Sequence, residues 1–249
     1  MANAYKFPTE VVELPSKGYF YPEGHPLASG KVEVKYMTAK EEDILTSQNL
    51  IEQGIVIDKL LESLVIDKKI NINDMLVGDK NAIMVASRVL GYGKDYEFTY
   101  DGEEQSVDLS KLEPVDIDFT KYTKGINEFT FELPSSKRPL TFKLLTGEDE
   151  KNIALEIAAR RKISKEQSFE LTTRLKKMII SVDGNSTKAY INNFVDNEFL
   201  SRDSFAFRQH LEDVTPDVDM SATVVDSAGK EMVVSVPVTV RFFWPSARV

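Results

Sequence analysis

The sequence predicts an α+β fold of two similar lobes from an internal duplication, each with a strand pair, a small helix bundle and a terminal β-ribbon. Three observations carry this reading. Glu13-Leu14-Pro15-Ser16 recurs as Glu132-Leu133-Pro134-Ser135, the segments after the two copies run in the same order, and each half closes on a hairpin pattern. The predicted organisation is an N-terminal lobe over 1–110, a linker over 111–127 and a C-terminal lobe over 128–249.

The elements come in matching order. Val32-Glu33-Val34-Lys35-Tyr36 and Leu140-Thr141-Phe142-Lys143-Leu144 alternate as half-buried strands do. Each leads into a helix start. Thr38 with Glu41 three residues on forms a capping box, and Thr146 with Asp149 is its weaker cousin, with acids near the positive end of the helix dipole. The next helices carry apolar stripes at matching spacing, Ile57, Leu61, Leu64 and Val65 in one and Leu171, Leu175, Met178 and Ile179 in the other. Ser164 with Gln167 supplies the second of these with its own start signal. A third helix is expected around Asp79–Leu90 and around Asp203–Leu211. The first hairpin runs Tyr96–Tyr100, turns at Asp101-Gly102 and returns over Ser106–Leu109. The second runs Ala222–Val225, turns through Asp226–Gly229 and returns over Met232–Val240. Ser110–Asn127 has no clear period and marks the join.

Composition bounds the function. The chain has 249 residues, of which 42% are apolar, enough to bury a core. No apolar run reaches the roughly 18–20 residues of a membrane span, and Met1–Lys6 lacks the pattern of a secretory signal. With no cysteine, disulfides and thiolate zinc sites are excluded. These features fit a cytosolic protein. A net charge of −9 argues against duplex nucleic acid and anionic membranes as partners. The charge is uneven: Lys151–Lys188 holds nine basic against four acidic residues, and Asp101–Asp118 holds seven acids and one lysine. Such runs are solvated faces, or the basic helix docks an acidic partner or the acidic segment itself.

Catalytic constellations find no support in the sequence. Only His25 and His210 could act as imidazole bases, and neither accompanies a nucleophile elbow or a second histidine at metal-binding spacing. Gly24–Val32 imitates a nucleotide loop but has five residues between its glycines, and it precedes a strand where a phosphate site needs a helix. Gly91-Tyr92-Gly93 lacks the third glycine of a dinucleotide fingerprint. No catalytic residue, cofactor or metal is therefore expected.

Three segments are candidates for gripping a protein partner. Tyr19, Phe20 and Tyr21 are consecutive aromatics, which on a strand point to both faces, so at least one covers another element or a partner. Phe242, Phe243 and Trp244, beside Arg241 and before Pro245, either close the second core or anchor an interface. Arg160, Arg161 and Lys162 head a basic helical region that continues through Lys165, Arg174, Lys176 and Lys177. No aromatics interleave with these charges, which disfavours stacking on single-stranded nucleic acid.

Val12–Gly18, the run Tyr36–Leu45 and the closing Phe242-Phe243-Trp244-Pro245 resemble the baseplate-hub assembly proteins of T-even-type contractile-tailed bacteriophages, over nearly the whole chain. The resemblance is nearer to members that promote assembly than to hub subunits. It implies a non-enzymatic, chaperone-like assembly factor for the baseplate hub, acting on other hub proteins in the cytoplasm of the infected bacterium. A permanent structural subunit of the virion baseplate is the alternative, and a nucleotide-dependent enzyme or hydrolase the least favoured. Self-association is left open.

Overall fold

The computed structural model describes residues 8–163, 168–227, 229–238 and 240–243. The fold is mixed α+β, built from small sheets and short helices. In the first half β1 (Thr9–Glu13) pairs antiparallel with β2 (Lys31–Lys35). Val32 and Val34 point inward from β2 while its charged residues face out, as the alternation demands. Three helices come next, α1 (Ala39–Thr46), α2 (Gln48–Glu52) and α3 (Val56–Leu64). α3 buries Val56, Leu60, Leu61 and Leu64 along one stripe. The chain then returns to β2, where Val65 bridges Val34 and the Ile66 N–H donates to the Glu33 carbonyl. Helix α4 (Val77–Tyr92) leads into the ribbon of β3 (Asp95–Tyr100) and β4 (Glu103–Asp108).

The second half repeats this order. β5 (Phe129–Glu132) pairs with β6 (Pro139–Phe142), and α5 (Gly147–Ile163) and α6 (Glu170–Met178) come after them. β7 (Ile179–Val182) then pairs with β6, with Ile179 opposite Phe142 as Val65 is opposite Val34. Helix α7 (Lys188–Asn193) and a π-turn over Phe194–Glu198 precede α8 (Ser201–Val214). The ribbon of β8 (Ser221–Val225) and β9 (Glu231–Ser235) closes the half.

Three expectations need correction. The stripe from Leu171 to Ile179 is not one helix face, because Leu171 is exposed and Ile179 already belongs to β7. Ile179 completes a sheet edge, which is worth more to it than a further helical turn. The last strand ends at Ser235, and Val240–Phe243 form a 3-10 turn. Tyr19, Phe20 and Tyr21 lie on a chain of turns between β1 and β2, not on a strand. The start signal Ser164 with Gln167 lies outside the described residues.

The halves also share side-chain detail. Thr38 and Glu41 form the capping box at α1, where the Thr38 hydroxyl and N–H both donate to Glu41 Oε2 at 2.7 and 2.9 Å. Thr146 donates in the same way to Asp149 Oδ2 at the start of α5. A lysine from the preceding strand neutralises each acid, Lys35 on Glu41 at 2.7 Å and Lys143 on Asp149 at 2.6 Å. At the starts of α4 and α8, a buried aspartate holds the turn at each Glu-Leu-Pro-Ser copy. Asp79 accepts from the Ser16 N–H and hydroxyl, and Asp203 accepts from the Ser135 and Ser136 N–H groups.

Glu41 sets one pH dependence. Burial pushes its carboxyl up, but bonds from Lys35, Ser63 and Thr38 outweigh this and hold it down at about 2, against an ordinary 4.5. A depressed acid stabilises the fold above its unfolded value, and that contribution fades as pH falls from 4.5 towards 2. Glu41→Gln is expected to cost about 1–2 kcal/mol at neutral pH. That cost should shrink through the same acid window when urea midpoints are compared.

A continuous cluster of buried side chains runs through both halves, with Val34, Leu61 and Ile83 from the first and Phe129, Phe142 and Phe207 from the second. The backbones join directly. Leu76 forms an antiparallel bridge with Thr146, through Val77 N–H to the Leu145 carbonyl and Gly147 N–H to the Met75 carbonyl. Gly78 allows the approach of residues 216–217, since a Cβ there would lie 1.9 Å from the Pro216 carbonyl oxygen. The join between the halves is pinned as well: Val115 N–H donates to the Asp217 carbonyl and Asp219 N–H to that of Glu113. The two ribbons lie side by side, where the Gln105 amide exchanges both hydrogen bonds with the Val225 backbone.

Candidate protein-interaction surfaces

Five of the aromatic candidates are turned inward or against their own chain. Phe20 is buried, with its ring 5.1–5.9 Å from Tyr19, Phe119, Tyr122 and Phe129. Tyr21 is buried, donates to Asp79 Oδ2 at 2.6 Å and accepts from the Leu76 N–H at 2.8 Å. Tyr19 is half-buried, and its hydroxyl donates to the Tyr122 carbonyl. The turns carrying them stay tight because Gly18 and Gly30 pass back to back, leaving no room for a Cβ on either. Phe242 and Phe243 are fully buried, and Phe242 meets Tyr96 edge-on at 4.9 Å. They therefore close the first half rather than the second, carried there by the second ribbon as it lies on the first. Of the two roles open to these aromatics, packing within the chain is the one Phe20, Tyr21, Phe242 and Phe243 take here, while Tyr19 stays half-buried. Trp244 lies outside the described residues.

The basic candidates stay outside. Arg160 is tied to Glu156 one turn back at 2.8 Å and lies over the Phe169 ring at 5.5 Å. Arg161 and Lys162 are exposed, and neither makes an ion pair among the described residues. Arg161 lines a cleft of about 490 Å³ between α5 and α6, whose inner wall holds Arg174 clamped on Glu150 at 2.6 and 2.9 Å. Among the described residues the basic segment pairs within the second half, Arg174 with Glu150 and Lys176 with Asp196 of the π-turn, and not with 101–118.

Exposed apolar side chains mark further surfaces that residue patterns alone did not single out. Leu155 on α5 is 62% exposed. With Ala158, Ala159 and Lys162 at helical spacing, and Lys151 one turn earlier, it forms an outward stripe that is apolar in the middle and basic at both ends. A second patch lies where α6 meets α8. A groove of about 220 Å³ there is lined by Leu171, Leu175, Val195 and Phe199, and the exposed Leu200 and Phe205 adjoin its lining residues Ser201 and Ser204 in sequence.

The histidines serve packing. His25 Nδ1 accepts from the Leu27 N–H and its ring stacks on Tyr21, while His210 stacks on Phe131 at 4.6 Å. Burial pushes His210 down from its ordinary value against the pull of Asp213. The loop Gly24–Val32 is a 3-10 turn running into β2. Among the described residues no cluster of His, Asp and Glu could hold a metal ion, and no helix is long and apolar enough to cross a membrane.

No protein-family model, characterised protein or solved structure matches the chain.

Proposed function

We propose that this protein is a non-enzymatic assembly factor for the baseplate hub of a contractile phage tail, built on a duplicated α+β unit. One observation carries the protein-binding part: α5 turns an exposed stripe outward, Leu155 at its centre and Lys151 and Lys162 at its ends, uncovered among the described residues. A half-apolar, basic helix face suits a hub protein's acidic segment, because apolar contact gives the affinity and the lysines give the register. The hub assignment itself rests on the resemblance of Val12–Gly18 and Tyr36–Leu45 to the baseplate-hub assembly proteins of contractile-tailed phages.

Leu155→Asp combined with Lys162→Glu changes only exposed positions, so the variant is expected to fold with an unaltered melting temperature. Recovery of hub proteins with it from infected cells is expected to drop about tenfold or more. Undiminished recovery would remove α5 from the reading. Mass spectrometry of purified tails separates the two roles, since stoichiometric copies in finished particles identify a permanent subunit.

A further inference from the structure

The contact between the halves has an unfilled counterpart at the other ends of the same chain. Within the chain, Leu76 ahead of α4 pairs with Thr146 ahead of α5. The matching positions are Leu200 ahead of α8 and Thr38 ahead of α1. The match is close: Leu76 and Leu200 have φ, ψ of −57°, 146° and −58°, 138°, and each stands three residues before the aspartate that holds the Glu-Leu-Pro-Ser turn. Thr38 and Thr146 make the same capping bonds to an acid three residues on.

Their surroundings differ in exposure, and Gly78 and Gly147 of the inner contact have Arg202 and Ala39 as counterparts, so an outer contact sits wider than the inner one. Leu76 is 3% exposed, covered by the second half, whereas Leu200 is 52% exposed. At the inner contact the Val77 and Gly147 N–H groups donate across the junction. Their counterparts, the N–H groups of Ser201 and Ala39, are first residues of helices and so lack an intrahelical acceptor, and no other acceptor reaches them among the described residues. The carbonyls of Phe199 and Met37, which correspond to those of Met75 and Leu145, likewise accept no bond among the described residues. Charges also complement, since Arg202 and Arg208 flank Leu200 while Glu42 and Asp43 come after Thr38.

We propose that a second copy of this chain docks the Met37–Asp43 turn of α1 onto the Leu200 and Phe205 patch of the first, after the pattern of the Leu76–Thr146 junction but with the side chains of Ala39 and Arg202 accommodated between the molecules. The two patches differ, so the contact is head-to-tail and each copy keeps one free end of each kind, giving a chain or a closed ring. This goes beyond the assembly reading and uses a different surface from the α5 stripe.

Sedimentation velocity of the full chain tests it with two variants. Leu200→Asp spoils one patch at an exposed position. Ala39→Pro removes the donor from the other, at a helix position where proline is well tolerated and after a Thr38 already extended at φ −127°, ψ 174°. Wild type is expected to associate with rising concentration, and each variant alone to weaken that association at least about tenfold. An equimolar mixture of the two is expected to form a one-to-one pair and nothing larger, because each supplies the face the other lacks. Wild type that stays monomeric up to about 1 mM overturns the proposal. So does a variant that associates like wild type, or a mixture that does not pair.

Discussion

Replacing Phe20 by alanine is expected to destabilise the entire protein by about 3–5 kcal/mol, the usual cost of emptying a large aromatic site. The ring is 2% exposed and its neighbours come from three parts of the chain. Tyr19 belongs to its own turns, Phe119 and Tyr122 to the join, and Phe129 to β5. Phe129 stacks on Phe142, which meets Phe207 edge-on, so the cavity would open at the head of an aromatic column through the second half. Urea unfolding followed by circular dichroism should show one transition at a lower midpoint. Phe119→Ala is the control, being half-buried, and is expected to cost less. A Phe20→Ala protein within about 1 kcal/mol of wild type, or one whose halves melt separately, would contradict the role assigned to this ring.

Asp79→Ala is expected to cost about 3–5 kcal/mol as well, because it strands the Ser16 N–H, the Ser16 hydroxyl and the Tyr21 hydroxyl in a buried place. Asp203→Ala strands two N–H groups and is expected to cost about 2–4 kcal/mol. The two acids then differ in sign with pH. Burial pushes Asp79 above its ordinary 3.8, against the bonds from Ser16 and Tyr21, and the nearby Asp217 adds to the rise. Burial acts on Asp203 too, but the bonds from Ser136 and Ser135 outweigh it and leave the group below 3.8. A raised acid binds its proton more tightly when folded, so its contribution falls as pH rises from 3.8 through the folded value. A lowered acid contributes above 3.8, and loses that as pH falls through its folded value. The penalty of Asp79→Asn should therefore shrink from pH 4 to pH 7, whereas that of Asp203→Asn should grow as pH rises out of the acid range. Parallel curves for the two asparagine variants would show that their environments are not opposite.

The local elements were legible because local chemistry specifies them. Thr38 and Glu41 need only each other to start a helix, and Asp101-Gly102 needs only its own backbone freedom to turn a hairpin, with Asp101 at φ +50° and Gly102 at +83°. Errors arose where a residue's partner is distant in sequence. Ile179 continues a helical period, yet Phe142 draws it into a strand. Tyr19-Phe20-Tyr21 has the composition of a strand, but the close pass of Gly18 and Gly30 folds it into turns that aim Phe20 at β5, Tyr19 at the join and Tyr21 at Asp79. The candidate surfaces divided in the same way. Arg161 and Lys162 were found because charge seeks water whatever the fold, whereas Leu155, Leu200 and Phe205 look like core residues until the packing leaves them out.

By itself, then, the sequence determined the α+β class, the strand pair, helices and closing ribbon of each half, the helix starts at Thr38 and Thr146 and the lack of any thiol chemistry. All of these depend on neighbours a few residues apart or on residue counts. Only the tertiary structure decided that Phe242 and Phe243 close the first half, that Asp79 and Asp203 hold corresponding turns, and that Leu76 is covered while Leu200 is not. These are contacts between segments far apart along the chain. Their selection depends on which apolar faces the whole fold can bury together, and no periodicity in a single segment records that choice.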